Sequence, residues 1–145
     1  MKIVLDTNVV VSGLLQAQGK PAQVLSFVLS GAVQICHDKR ILAEYAEVLA
    51  RPRFKLDPKR VYDVLNKIET DGLSVDASGE SNLDLPDPDD EPFLEVALAA
   101  SADFLVTGNL ADFPPDKRQG CPVISPAEFM KEWPRRAGNQ GRIPS

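Results

Sequence analysis

The sequence predicts an α/β fold of three layers, α/β/α, with a central, mainly parallel sheet of about four or five short strands. Apolar runs of strand length alternate along the chain with longer segments of helical period. Strands separated by helices are typical of βαβ units, in which helices cover both faces of a parallel sheet. The length of 145 residues suits a single domain with a core of useful size.

The first half of the chain contains two predicted strands and four predicted helices. Pro52 ends one of these helices, and Asp57 followed by Pro58 supplies an N-cap and a favourable first residue for the next. The order is a strand over residues 2–5, helices over 9–15 and 21–29, a strand over 32–36, and helices over 38–50 and 58–70.

The second half of the chain alternates in the same way. Asp87 and Pro88 begin a helix, and Ser125 and Glu128 form a capping box that opens the last one. The order is a strand over 73–76, a polar loop over 77–85, a helix over 87–101, strands over 104–106 and 123–124, and a short helix from residue 126. Residues 134–145 have no apolar period, so we expect a flexible tail after a domain of residues 1–133.

Composition and motifs exclude several kinds of site. The single histidine, His37, rules out a multi-histidine zinc site and argues against a histidine-dependent nucleophile. A lone histidine at a strand end is more often structural. Neither GxGxxG nor GxxxxGK[ST] occurs, so a dinucleotide-binding fold and a P-loop are both unsupported.

Charge and cysteine usage limit the partners and the compartment. The net charge of −5 repels nucleic acid, so any contact with it needs a local basic patch or a bound metal. Cys36 and Cys121 end apolar runs and form no CxxC pair, which is typical of buried, reduced cysteines. No signal peptide or membrane span is visible, so we expect a cytoplasmic protein that makes no membrane contact.

Polar residues follow three of the predicted strands. In parallel sheets, ligands bind beyond the carboxyl ends of the strands, so these positions are candidates for a site. They are residues 6–8 after the first strand, residues 37–38 after the second, and residues 107–109, with Asp112 close by, after the fourth.

Two further acids lie on or beside the apolar faces of predicted helices. Asp90 projects onto the same helical arc as Phe93 and Ala97, where a carboxylate needs a partner or a cation. The alternative is that Asp90 only favours the positive end of its helix. Glu44 borders the apolar stripe of its helix, whereas Glu47 points towards water. Periodicity alone leaves open whether Glu44 serves a site or is an ordinary boundary glutamate.

The sequence as a whole favours oxygen ligands over nitrogen or sulfur. Several carboxylates that converge on one point suit a hard cation such as Mg²⁺ or Mn²⁺. Such a cation also offsets the mutual repulsion that raises the pKa of crowded carboxylates.

Four segments in order resemble the PIN domain, and most of all its branch described as toxins of toxin–antitoxin systems. They are LDTNVVVSGLL, ILAEYAEVLARPRF, DPDDEPFLEVALAASADFLVTGNLADFP and CPVISPAEFM. The resemblance covers roughly residues 1–132. It implies a parallel sheet flanked by helices, with three or four acids that bind Mg²⁺ or Mn²⁺.

The resemblance also implies which residues form the site. Asp6, Glu44 and Asp90 match the first three acids of the family. At the fourth position many members have an aspartate where this chain has Asn109, so either Asp112 serves instead or Asn109 acts as a neutral ligand. The polar residues that would support the carboxylates are Thr7, Asn8 and Thr107, and Asn109 where it is not a ligand.

The resemblance implies an endoribonuclease that hydrolyses single-stranded RNA with the help of a metal ion, and it implies a toxin role. The candidate partners are a cognate antitoxin and a second copy of the chain in a homodimer. Lys39, Arg40 and Arg51 are candidates to contact phosphates. One alternative is a non-catalytic, PIN-like module that binds RNA or protein, which the Asn109 departure favours. Another is a phosphoryl-transfer enzyme with Asp6 as nucleophile, although such enzymes usually carry a second aspartate where this chain has Asn8.

Overall fold

A five-stranded parallel sheet lies at the centre of the fold. The computed structural model describes residues 1–77 and 82–139, with side chains described as far as Pro134. In chain order the elements are β1 (Lys2–Leu5), α1 (Thr7–Leu15), α2 (Lys20–Leu29), β2 (Gln34–His37), α3 (Lys39–Leu49), α4 (Pro58–Asp71), β3 (Leu73–Ser74), α5 (Glu91–Ala100), β4 (Phe104–Val106), β5 (Val123–Ile124) and α6 (Pro126–Asn139).

The strand order is β3-β2-β1-β4-β5, and every neighbouring pair is parallel. The central strand β1 places Ile3 opposite Ile35 of β2 on one side and Phe104 of β4 on the other. The strand order places β1 between the two halves of the sheet, with helices packed on both faces. The predicted α/β class, the three layers and the parallel sheet are therefore confirmed.

The burial of β1 explains its uninterrupted apolar sequence. Ile3, Val4 and Leu5 are each 0 % exposed, because helices cover both faces of the strand and neighbouring strands cover both edges. Such a strand shows no alternation of polar and apolar residues. Its end is therefore the first place on this strand where a polar side chain can meet solvent or a ligand.

Hydrogen bonds attach the elements that surround the end of β1. The Asp6 amide donates to the Val106 carbonyl at 2.9 Å, which continues the pairing of β1 with β4 beyond the strand itself. The buried Tyr45 hydroxyl of α3 donates to the Leu5 carbonyl. Helix α3 is thus attached directly to the carboxyl end of the central strand.

The last helix is longer than the sequence predicts. Pro134 lies inside α6, which continues to Asn139, so residues 134–139 of the predicted tail are helical. Trp133 stacks on Phe27 at 5.0 Å between ring centroids and contacts Phe129 as well. We attribute the continued helix to this packing, which offsets the hydrogen bond that Pro134 cannot make.

Two other boundaries differ slightly from the prediction. The helix predicted from residue 87 begins with a 3₁₀ turn, Pro88–Asp90, and becomes α5 at Glu91. The predicted strand 73–76 is limited to Leu73–Ser74. Part of the predicted loop (residues 78–81) and the end of the predicted tail (residues 140–145) lie outside the described residues. The flexibility of the tail and the domain boundary at residue 133 stay predictions.

Cys36 and Cys121 are both buried and form no disulfide, as expected of their positions at the ends of apolar runs. No helix in the described parts of the chain combines the length and the apolar character needed to cross a bilayer.

The hydrogen bond from Tyr45 to β1 predicts a measurable contribution to stability. Tyr45→Phe removes the buried donor and leaves the Leu5 carbonyl without it, so we expect the free energy of unfolding to fall by about 1–2 kcal/mol. Tyr62→Phe is the matched control, because Tyr62 is 68 % exposed. Urea denaturation of both variants measures the difference, and equal midpoints would contradict the role of Tyr45.

Candidate metal centre

A cleft of about 330 Å³ opens beyond the carboxyl ends of β1 and β4. This is the edge of the sheet at which the sequence predicts a site. Its walls are formed by carboxylates, polar groups, apolar side chains and one basic side chain. The lining residues are Asp6, Thr7, Asn8, Val11, Ser12, Val48, Arg53, Phe54, Asp90 and Asp112.

Asp6 is the most buried acid of the cleft, at 4 % exposure. The Thr107 hydroxyl donates to its Oδ2 at 2.8 Å, and the Asn8 amide approaches the same oxygen at 3.4 Å. Burial raises the pKa of the Asp6 carboxyl from 3.8 to about 6, although the hydrogen bond from Thr107 acts in the opposite direction. The charges of Glu44 and Asp112 raise it further.

Asp90 enters the cleft from the 3₁₀ turn that precedes α5. Its side chain makes no capping hydrogen bond, whereas the Asp87 carboxylate accepts one from the Asp89 amide at 2.9 Å. Asp87 therefore caps this turn and Asp90 does not. Burial raises the pKa of Asp90 to about 7, followed in effect by the charges of Asp6 and Asp112.

Asp112 is the third acid at this point. Asp6, Asp90 and Asp112 each offer a carboxylate oxygen, and these oxygens all lie within 4.8 Å of one another. Asp112 ends a 3₁₀ turn, and Asn109 donates its side-chain amide to the Asp112 carboxylate at 3.1 Å. The geometry therefore places Asp112 in the cluster and Asn109 beside it as a hydrogen-bond donor.

Glu44 lies at the border of the cluster on α3. The Thr7 hydroxyl donates to its carboxylate, and its charge contributes to the raised pKa of both Asp6 and Asp90. It is not one of the three acids within 4.8 Å. Glu47, one turn further, is exposed and pairs with Arg51 at 2.9 Å, in keeping with the prediction that it faces water.

Polar residues around the cluster are bonded to one another as well as to the acids. Asn8 accepts a hydrogen bond from the Gly108 amide at 2.9 Å, and Thr107 accepts one from the Asn109 amide at 3.1 Å. A Cβ at Gly108 would lie 3.1 Å from the Asn8 oxygen, so a larger residue there would crowd this contact. Asn8, Thr107 and Asn109 thus connect the loop after β4 with the start of α1, whereas Thr7 is bonded to Glu44 on α3.

The donor set fits a hard divalent cation. All four acids offer oxygen, and no described lysine or arginine forms an ion pair with any of them. The crowded carboxylates therefore lack a compensating charge, and this is one cause of the raised pKa values. The residues that could hold the ion are Asp6, Asp90 and Asp112, and Glu44 lies at the border of this group.

The three basic residues predicted to contact phosphates do not line the cleft. Arg40 pairs with Asp38 at 2.8 Å and with the buried Glu95 at 3.2 Å, and Arg51 pairs with Glu47. Lys39 is exposed elsewhere, on the groove beside residues 74–77. None of the three therefore lies in the cleft itself, and the pairing of Arg40 and Arg51 with acids could not be predicted from the charges along a helix.

Arg53, which the sequence does not single out, lines the cleft instead. It lies on a 3₁₀ turn, Pro52–Phe54, where no helical period indicates the direction of a side chain. The only available signal was its position directly after the helix that carries Glu44.

His37 is buried at 3 % exposure at the end of β2 and is not among the residues that line the cleft. Burial lowers its pKa, which favours the neutral imidazole. Its carbonyl accepts a hydrogen bond from the Val75 amide at 2.8 Å. These features agree with the structural role that a lone histidine at a strand end predicts.

Comparison with protein families supports the predicted resemblance. The family model of the PIN domain matches residues 2–111, more than half of the chain. The match includes Asp6, Glu44 and Asp90, and Asp112 follows its last residue. A search of curated proteins and a search of solved structures each find no match. The family match is enough to place the chain, which belongs to the PIN domain family.

Proposed function

We propose that this protein is an endoribonuclease that hydrolyses single-stranded RNA with Mg²⁺ or Mn²⁺. Membership of the PIN family indicates nuclease-type activity. The observation that carries the proposal is the convergence of Asp6, Asp90 and Asp112, whose carboxylate oxygens lie within 4.8 Å of one another, with no described lysine or arginine paired to them. Hydrolysis needs no covalent intermediate on the protein, which suits a site with no histidine, cysteine or lysine in the cleft.

A divalent cation bound here would supply Lewis acidity, which lowers the pKa of water and offsets charge on the phosphate. The chain's own residues hold the ligands in place. Thr107 and Asn8 orient Asp6 at the end of a rigid strand, and Asn109 orients Asp112. Asp90 enters the cleft from a different element, the 3₁₀ turn that precedes α5.

Glu44 has a separate role in this proposal. Its carboxylate lies outside the closest group but is held by the Thr7 hydroxyl at the edge of the cleft. From there it can orient the attacking water, accept its proton or contact a second ion. We propose that the Glu44 carboxylate acts on the attacking water and that the carboxylates of the three aspartates hold the metal.

The non-catalytic alternative relied on the missing acid at Asn109. A carboxylate oxygen of Asp112 lies within 4.8 Å of those of Asp6 and Asp90, and Asn109 donates to Asp112, which supports Asp112 as the fourth acid over a binding module. Phosphoryl-transfer enzymes with an aspartate nucleophile usually carry a second aspartate two residues after the first. Asn8 occupies that position and is engaged with Asp6 and Gly108.

We further propose a toxin role, with a cognate antitoxin as partner, a cytoplasmic location and a homodimer as the assembled form. These proposals rest on the resemblance of the chain to the toxin branch of the family. Induced expression in a bacterial host should arrest growth, while Asp90→Asn should not, and colony counts measure the difference. Unimpaired growth with the folded parent protein would contradict the toxin role.

Replacement of a single acid should separate activity from folding. Asp90→Asn keeps the size of the side chain but removes its charge, so we expect Mn²⁺-dependent cleavage of single-stranded RNA to fall on the order of 100-fold or more. Asp89→Asn is the matched control, because Asp89 is the exposed neighbour on the same turn. A gel assay with fluorescent RNA measures both rates, and an unchanged rate for Asp90→Asn would refute the site.

The same variant should be more stable than the parent without metal. The pKa of Asp90 is about 7 in the folded protein, and we take 3.8, its ordinary value, for the unfolded chain. The folded protein therefore binds more protons than the unfolded chain at pH values between these two. The contribution of Asp90 to the free energy of unfolding therefore decreases as the pH rises from about 4 to 7. We expect Asp90→Asn to gain on the order of 1–2 kcal/mol at pH 8, reduced by solvent screening, and little at pH 4.5.

Metal should reverse that order. At one hundred times its Kd, an ion that binds only the folded protein adds about 2.7 kcal/mol. We expect Mn²⁺ to raise the melting temperature of the parent at pH 8 and to leave Asp90→Asn nearly unchanged. Thermal denaturation with Mn²⁺ and with chelator measures both effects. Equal shifts in parent and variant would show that Asp90 does not bind the ion.

A further inference from the structure

We propose that Arg53 is the residue of this cleft that binds an RNA phosphate, and that the ring of Phe54 holds its guanidinium in place. This inference rests on the proposed nuclease function and names the group that positions the substrate. Neither the raised pKa values of the carboxylates nor the family match assigns such a group.

The charges in the cleft require a cation for an anionic substrate. Three aspartates line the cleft and Glu44 borders it, while Arg53 is the only basic residue among the lining residues that the structure describes. A divalent ion offsets part of the negative charge of the acids but is held by them. A second, independent positive charge is needed to attract the phosphate, since the protein as a whole is negative.

Arg53 has no competing partner in the described part of the chain. Two other arginines are paired with acids, Arg40 with Asp38 and Glu95 and Arg51 with Glu47. Among the residues that the structure describes, no carboxylate lies within ion-pair distance of Arg53, although it shares a cleft with three of them. Its guanidinium is therefore free to form bidentate hydrogen bonds with a phosphate.

The position of Arg53 is set by a short, well-bonded turn. The Phe54 amide donates to the Arg51 carbonyl and the Lys55 amide to the Pro52 carbonyl, both at 3.1 Å. Pro52 restricts the first residue of the turn, and Lys55 ends it in the left-handed region, at φ 51°. This turn directly follows α3, the helix that carries Glu44 and is bonded to β1 through Tyr45.

Phe54 provides the second point of attachment. Its ring is half-buried and packs against the core, and the guanidinium carbon of Arg53 lies 4.8 Å from the ring centroid. This is a cation–π contact, which limits the directions that a long, exposed side chain adopts. The pairing therefore presents the guanidinium to the cleft with less loss of conformational entropy on binding than a free arginine would incur.

The test compares Arg53→Gln and Arg53→Lys with Arg51→Gln, which removes an exposed arginine that does not line the cleft. We expect Arg53→Gln to raise KM for single-stranded RNA about tenfold or more, with a smaller change in kcat, because a charged hydrogen bond to substrate is lost. Arg53→Lys should restore part of the loss, since it keeps the charge but not the fork of donors. Arg51→Gln should stay within about twofold of the parent.

The salt dependence of RNA binding provides a second readout, which a change in folding alone would not reproduce. In the Asp90→Asn background, Arg53→Gln should reduce the slope of log Kd against log salt for an RNA oligonucleotide by about 0.7, the value for one phosphate contact on a single strand. Fluorescence anisotropy measures this slope. The Mn²⁺-dependent rise in melting temperature, measured in Arg53→Gln alone, should equal that of the parent, which separates loss of substrate binding from loss of the metal site.

Two failures are distinguishable. If the parent cleaves RNA with Mn²⁺ and Arg53→Gln matches Arg51→Gln in both KM and salt slope, the role of Arg53 is overturned and the nuclease function stands. If the parent neither cleaves nor binds RNA, the proposed function fails and the inference fails with it. A loss of the Mn²⁺-dependent stabilisation in Arg53→Gln would also overturn it, because the residue would then act through the metal site.

Discussion

The structure depends on the hydrogen bond between the Asp6 amide and the Val106 carbonyl at the end of the central strand. It extends the pairing of β1 and β4 by one residue, so that Asp6 and Thr107 leave the sheet side by side. The hydroxyl of Thr107 can then reach the Asp6 carboxylate. Burial of a carboxylate is unfavourable by itself, and these contacts, with the polar loop around them, make it tolerable at 4 % exposure.

Helical period explains which parts of the site could be predicted from the sequence. A period of 3.6 residues placed Asp90 on the apolar side of its predicted helix and Glu44 at the edge of another, and the family resemblance then selected Glu44 as a site residue. Asp90 reaches the cleft from a 3₁₀ turn in place of the predicted α-helical turn, and Glu44 lies at the border of the acid cluster. The choice between Asn109 and Asp112 could not be made in this way. Both follow a strand on irregular backbone, where only the 3₁₀ turn at Leu110–Asp112 decides which side chain points to Asp6.

The remaining differences arise from contacts between distant parts of the chain. Trp133 packs on Phe27, more than one hundred residues earlier, and this contact accompanies a helix that local sequence would end at Pro134. Arg53 was overlooked because neighbouring basic residues look alike in sequence, whereas in the fold only some of them meet carboxylates. Local propensity describes the elements of this protein well, but partners across the fold determine which charges stay free.

The four acids come from four separate elements, and the last of them, Asp112, is the product of the final third of the chain. The cluster therefore cannot exist until β4 has paired with β1 and the loop after it has closed. During synthesis from the amino terminus, the segment that carries Asp6 and Glu44 emerges long before the segment that completes the site. The order of translation thus delays the appearance of the acid cluster until Asp112 has been synthesised, so a nascent chain that ends before Asp112 cannot assemble it.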